Sequence, residues 1–257
     1  MLNIPKILTK KQLNQKLLTV GNPKTEKSVQ LGYYTAILHL APAGLSGFMM
    51  CLWATAGCIA GCLNSAGRGG IGITKDFLTT NTVQKARIIR TVLYKRYTEL
   101  FFKKLERELV FFVRKCKRLN LLPCLRVNGT SDDFALVEAV HEMKQNNTEL
   151  KDLTLYDYSK NYDDSLNMLD KVDITLSWHE KTEVQKALNL IDKGLNFAVV
   201  FSTAKGKQLP DTFHGIPVID GDIHDLRFLD PKGVIVGLRA KGKARKDTSG
   251  FVQKVAA

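Results

Sequence analysis

The chain has 257 residues, 44% hydrophobic and 25% charged, the balance of an ordinary globular protein with room for one large domain or two small ones. Its formal net charge of +13 marks a basic surface and favours a polyanionic partner, nucleic acid or nucleotide, or an anionic cofactor. Five cysteines, an odd number at irregular spacing, exclude a disulfide framework and point to the reducing cytoplasm, where clustered thiols hold metal.

In chain order, residues 1–32 read as a basic irregular N-terminal segment, with NPKTEKS (Asn22 to Ser28) as a polar turn and no apolar core of signal-peptide length. YYTAILHLAPA (Tyr33 to Ala43) is rich in aromatic and β-branched residues and reads as a strand. It runs into CLWATAGCIAGCLNSAGRGG, where Cys51, Cys58 and Cys62 fall within one glycine- and alanine-rich loop at 51–70. His39, Pro42 and the glycines interrupt this apolar run, so it is a buried strand and a site loop and not a membrane span.

Three thiols are the informative number. A structural zinc site uses four protein ligands, whereas three leave a position open for chemistry. The trio fits a [4Fe–4S] cluster with one free iron, or zinc with a fourth ligand such as His39, or else buried free cysteines holding nothing. No paired CxxC, Walker motif, GxSxG elbow or HExxH is present.

From about Thr82 to Leu119, apolar residues recur every three or four positions and predict one long helix. Lys85, Arg87, Arg90, Lys95, Arg96 and seven further basic residues lie between them, opposed by Glu99, Glu106 and Glu108 alone. They form either a solvated face or a phosphate-tracking stripe. Strands then alternate with short helices: LLPCLRVNG, DLTLYDYS, DITLSWH, NFAVVFST, GIPVIDG and GVIVGLRAKG read as strands. With the first, about six to seven strands predict an α/β fold, a complete or partial parallel (β/α) barrel over 33–240, with a doubly wound sheet as the alternative. Residues 241–257 read as a basic C-terminal tail.

Ligands in such folds sit beyond the carboxyl ends of the strands. That end receives the three cysteines, Arg126, Asn128, Thr130, Ser131 and Asp132, then Tyr156, Asp157, Tyr158 and Lys160. Ser177, His179 and Glu180 follow, then Ser202 and Thr203, Asp220, Asp222, His224 and Asp225, and finally Arg239 and Lys241. Thr130, Ser131 and Asp132 also stand where a helix N-cap is expected. The DGD turn suits a divalent ion or a ribose as well as an ordinary acidic turn.

The blocks ATAGCIAGCLNSAGRGG, RVNGTSD, LYDYSK, ITLSWHE and VIDGD, in that order from about Asn22 to Val252, resemble the bacteriophage family called gene product eighty-eight. That resemblance implies a phage setting, in the host cytoplasm, and no stated activity. A cysteine triad after the first strand of a parallel barrel is also distantly similar to radical S-adenosylmethionine enzymes. Their triad is CxxxCxxC, whereas here Cys51-x6-Cys58-x3-Cys62 stands, and Asn128-Gly129-Thr130 replaces their glycine-rich motif after the second strand. This similarity implies a [4Fe–4S] cluster on Cys51, Cys58 and Cys62 and S-adenosylmethionine held by Asn128, Thr130, Asp132 and Ser177. Tyr156, Asp157, Lys160 and His179 are then the catalytic set. Two alternatives stand beside it: a zinc-containing barrel transferase acting on nucleic-acid bases, and a non-enzymatic nucleic-acid-binding phage protein with a structural metal.

Overall fold

A computed structural model describes residues 4–21, 23–74 and 76–255. The outermost residues of the expected lead-in and tail (1–3, 256 and 257), Asn22 of the expected turn, and Lys75 lie outside the described residues. The lead-in is not irregular. It contains α1 (Lys10–Leu13), β1 (Leu18–Thr19) and α2 (Pro23–Val29). Thr9 and Gln12 form a capping box on α1, and the Glu108 carboxylate accepts from the Leu17 and Leu18 amides at 3.0 Å. Leu17 is fully buried, so long-range contacts order a segment that has little periodicity of its own.

The expected single helix is two, α4 (Thr82–Arg96) and α5 (Thr98–Arg118), broken at Tyr97 with φ −130° and ψ 49°. The break lets α4 sink almost whole into the core while α5 keeps one apolar stripe inward: Phe101, Leu105, Leu109, Phe112 and Cys116. It also divides the basic stripe. Arg87 and Arg90 are buried, donating to the Asn64 side chain and to the Lys16 carbonyl respectively, so they are structural and not a phosphate track. Lys103, Arg107, Arg114, Lys115, Lys117 and Arg118 remain exposed on α5.

The remaining strands are β2 (Tyr33–Leu38), β3 (Leu122–Arg126), β4 (Thr154–Ser159), β5 (Asp173–Ser177), β6 (Phe197–Phe201), β7 (Thr212–Phe213), β8 (Ile216–Asp220) and β9 (Ile235–Arg239). They form one sheet in the order β1-β2-β3-β4-β5-β6-β9-β8-β7, parallel from β2 to β8, with β1 and β7 antiparallel at the edges. From β2 to β6 the order is sequential, without the reversal that a doubly wound sheet requires. Among the described residues β1 and β7 do not pair, and closure into a complete barrel is not observed.

Strand alternation sorts the two faces. Leu125, Leu155, Leu176, Phe197 and Ile235 pair across one face and join α4, α5, α6 (Phe134–Asn146) and α8 (Val184–Asp192) in a single core. The other face carries Cys124, Arg126, Tyr156, Tyr158, Ser177, Ala198 and Val200, and at its base the loop after β8 packs Leu226 and Phe228 against Cys124, Tyr156 and Tyr33. Because all its long strands are parallel, their carboxyl ends meet on one side of the sheet. No helix among the described residues is long and apolar enough to cross a membrane.

Candidate functional site

The cysteine loop is not free-standing. Cys51 forms a parallel bridge with Asp132, and the Asp132 amide donates to the Met50 carbonyl at 2.9 Å, which docks the loop beyond the end of β3. A short helix, α3 (Ala56–Ala60), lies inside the loop. Glu180, just after β5, holds its amino end: Thr55 Oγ1 and the Gly57 amide each donate to its carboxylate at 2.7 Å. Burial works the other way, yet these bonds hold the Glu180 carboxyl below the usual glutamate range.

The C-terminal segment completes the enclosure and is not a loose basic tail. A 3-10 turn at Gly242–Lys246 lies against the turn at Leu63–Ser65, and Phe251 lies over Gly57 and Gly61. This explains the small residues of the loop. A Cβ on Gly57 would stand 2.7 Å from Phe251 Cβ and 2.9 Å from Glu180 Cδ. Gly57→Ala is therefore expected to cost about 1–3 kcal/mol by overpacking. Gly44→Ala, with nothing within 4 Å, serves as the control. Equal melting temperatures for the two variants would reject this packing account.

Cys51, Cys58 and Cys62 together line a cavity at the strand ends that holds about 1170 Å³ of empty space including its open mouth. Its walls are Arg126, Tyr158, Lys160, Ser177, Trp178, Ala198, Val200, Leu238, Arg239 and Lys241 from the strand ends, with Phe251 from the C-terminal segment. Two sulfurs already receive backbone donors, Ala43 N to Cys51 Sγ at 3.2 Å and Asn64 N to Cys62 Sγ at 3.4 Å. Burial nevertheless pushes the Cys51 thiol up to about 11 and raises that of Cys62. Lys160 also faces the trio. Against burial, which would lower it, the Cys58 and Cys51 sulfurs and Asp132 raise its ammonium above the ordinary lysine range. Among the described residues no group of three or more His, Cys, Asp or Glu side chains is spaced to hold a single metal ion.

The expected cofactor-binding residues build the wall. Asn128 lines the cavity, but its Nδ2 donates to Asp157 at 2.6 Å, and its Oδ1 accepts from Ser131 Oγ at 2.6 Å and from the Asp133 amide. Thr130 Oγ1 donates to the Leu40 carbonyl at 2.6 Å. Asp132 accepts from Ser159 Oγ and the Lys160 amide, and burial raises its carboxyl. None of the three is a helix N-cap; that position is held by Asp133, one residue on. Ser177 lines the cavity from β5.

Of the expected catalytic set, Lys160 lines the cavity and the others do not. Tyr156 lies below it in the buried cluster with Cys124, its hydroxyl 3.4 Å from Asp225. His179 stacks on Tyr162 beside the cavity. Asp157 points to the helix face, because alternation along β4 sends Tyr156, Tyr158 and Lys160 one way and Asp157 the other. There its carboxylate binds the Asn128 turn and the Tyr158 amide.

Burial also raises the Asp157 carboxyl to about 7, above the ~3.9 of an unfolded aspartate. Between those values the folded state holds a proton that the unfolded chain has released, so this group makes stability fall as pH rises from about 4 through about 7. Asp157→Asn is expected to flatten that part of the profile in thermal denaturation followed across pH. An unchanged profile would reject the assignment.

Elsewhere, the DGD turn is neutralised from within the chain. Arg239 Nη1 lies 2.9 Å from both Asp220 oxygens and 3.2 Å from Asp222, and Lys241 donates to Asp222. His39 packs against Gly129 away from the thiols, and burial lowers it to about 3, the behaviour of a neutral core histidine. Ser202 is taken up by the C-terminal segment through Val255, while Ala198 and Val200 face the cavity in its place. Phe251 has no signal in its own neighbourhood of sequence; the glycines that receive it are the sign that something packs there.

The family model described as Gene product 88 matches residues 8–255, further into the N-terminal segment than the short blocks reach. No curated protein and no solved structure matches the chain. With nearly the whole chain matched, it belongs to the Gene product 88 family of bacteriophage gene products.

Proposed function

We propose that this chain is an iron–sulfur enzyme of radical type, built on a partial parallel barrel, that acts on nucleic acid or a nucleotide. The observation that carries the reading is that Cys51, Cys58 and Cys62 line one cavity at the carboxyl ends of the parallel strands. The sequential strand order and the helices gathered on one face of the sheet support the partial barrel.

The donor set fits a [4Fe–4S] cluster. The three ligands are thiols, two receive N–H bonds at sulfur, and the Lys160 ammonium supplies counter-charge where three thiolates would gather. When bound, the cluster supplies one-electron chemistry at an iron left without a protein ligand. The chain's own residues do the rest. Lys160 balances charge beside the sulfurs, Tyr158 stands on the cavity side of β4 with the Arg126 guanidinium over its ring, and Phe251 closes the wall over Gly57 and Gly61.

Anaerobic purification and reconstitution test the reading, with iron, sulfide and zinc quantified. A brown protein absorbing at about 400 nm, with iron and sulfide in equal amounts, is expected. One zinc without iron or sulfide would identify a zinc enzyme instead, and a colourless, metal-free preparation would overturn both.

A further inference from the structure

A second cavity lies on the outer side of the cysteine loop and shares Cys51, Cys58 and Cys62 with the first. Its walls are otherwise mostly apolar, from Pro42–Leu45, Ala54, Ile59, Ala60 and Ile73, with Asn64, Ser65 and Lys243 as the polar members. Large apolar side chains project to solvent from the same stretch of chain: Leu52 is 79% exposed, Ile71 73% and Trp53 51%, with Met49, Ile59 and Leu63 near half. So much unpaired apolar surface marks an interaction site. Its electrostatics are one-sided, because Asp76 is the only acidic residue between 39 and 98. Arg68 is exposed in the turn beyond Cys62, and exposed Lys243, Arg245 and Lys246 come from the 3-10 turn that packs on Leu63–Ser65.

We propose that this face docks single-stranded nucleic acid, with Trp53 as a base-stacking platform and Arg68, Lys243 and Lys246 against the phosphates. Apolar and aromatic side chains alongside cations, with the nearby Glu180, Asp132 and Asp247 carboxylates each engaged by donors of the chain, match a partner that carries exposed bases on a charged backbone. A duplex hides its bases and would leave Leu52, Trp53 and Ile71 in water. The same stretch of chain also lines a recess that ends on the thiols and has room for a base, which a bilayer surface would leave unfilled. The proposal rests on the reading above only for its chemistry, since docking itself needs no metal.

The test is fluorescence anisotropy with a labelled oligothymidylate, its duplex, and vesicles containing anionic lipid. The full-length protein is used as purified, with its iron measured in parallel. Single strands are expected to bind with a steep salt dependence. Trp53→Ala is expected to weaken binding roughly tenfold and Trp53→Tyr to restore it. Lys243→Gln with Lys246→Gln is expected to reduce the salt slope by about 2. Binding should quench intrinsic fluorescence through Trp53, while buried Trp178 stays constant. Preference for duplex, binding unchanged in Trp53→Ala, or capture of vesicles without oligonucleotide would overturn the proposal, the last in favour of a membrane surface. An iron-loaded protein that ignores single strands also overturns it and leaves the iron–sulfur reading standing. A metal-free protein that binds them through Trp53 does the reverse.

Discussion

Cys51→Ser, Cys58→Ser and Cys62→Ser are each expected to lower the iron and sulfide retained after anaerobic reconstitution by more than about tenfold. All three cysteines line one cavity, and a hydroxyl is a far poorer ligand for iron than a thiolate. Cys116→Ser is the control. Cys116 is buried on α5 in the main core, so its loss lowers stability without touching the metal. Because burial raises the Cys51 and Cys62 thiols, metal must displace protons there, and loading is expected to improve as pH rises toward 9. Iron retained in all three serine variants would remove the trio as the ligand set.

Glu180→Ala carries the second large effect. It removes the carboxylate that accepts from Thr55 and Gly57 and leaves the amino end of α3 with only the Thr55 cap on Cys58. Hydrogen bonds to a charged group contribute about 1.5–3 kcal/mol each, and partial exposure of Glu180 reduces that toward the lower figure. The cysteine loop should loosen while the sheet stays folded. Thiol alkylation of Cys58 and Cys62 is expected to accelerate roughly tenfold or more, with the circular dichroism spectrum unchanged. Glu180→Gln keeps one acceptor oxygen and should fall between the two. Alkylation at the wild-type rate in Glu180→Ala would mean that the loop is held by other contacts.

The strands of the α/β sheet were legible because each is short, apolar and bounded by turn residues, and the helix α8 because its stripe ends at Gly194 in the left-handed region. The division at Tyr97 was not, since an amphipathic period continues across it and only tertiary packing breaks the helix. At the site, the strand-end rule anticipated that Asn128, Lys160 and Ser177 would come near the cysteines but not the directions of the side chains around them. Alternation along β4 separates Lys160 from Asp157, and Asn128, Thr130 and Asp132 spend their polar atoms in tying the turn to the ends of β2 and β4. The antiparallel edges β1 and β7, two residues each, carry no pattern that local sequence exposes.

Phe251 and the turn at Gly242–Lys246 close the wall of a site whose thiols are translated near the beginning of the chain. Synthesis runs at about 5–20 residues per second, so Cys62 waits on the order of ten seconds or longer before that wall exists. During that interval the nascent thiols are open to oxidants and to stray metal. That wall is therefore completed only once Phe251 has been made, long after the thiols it covers.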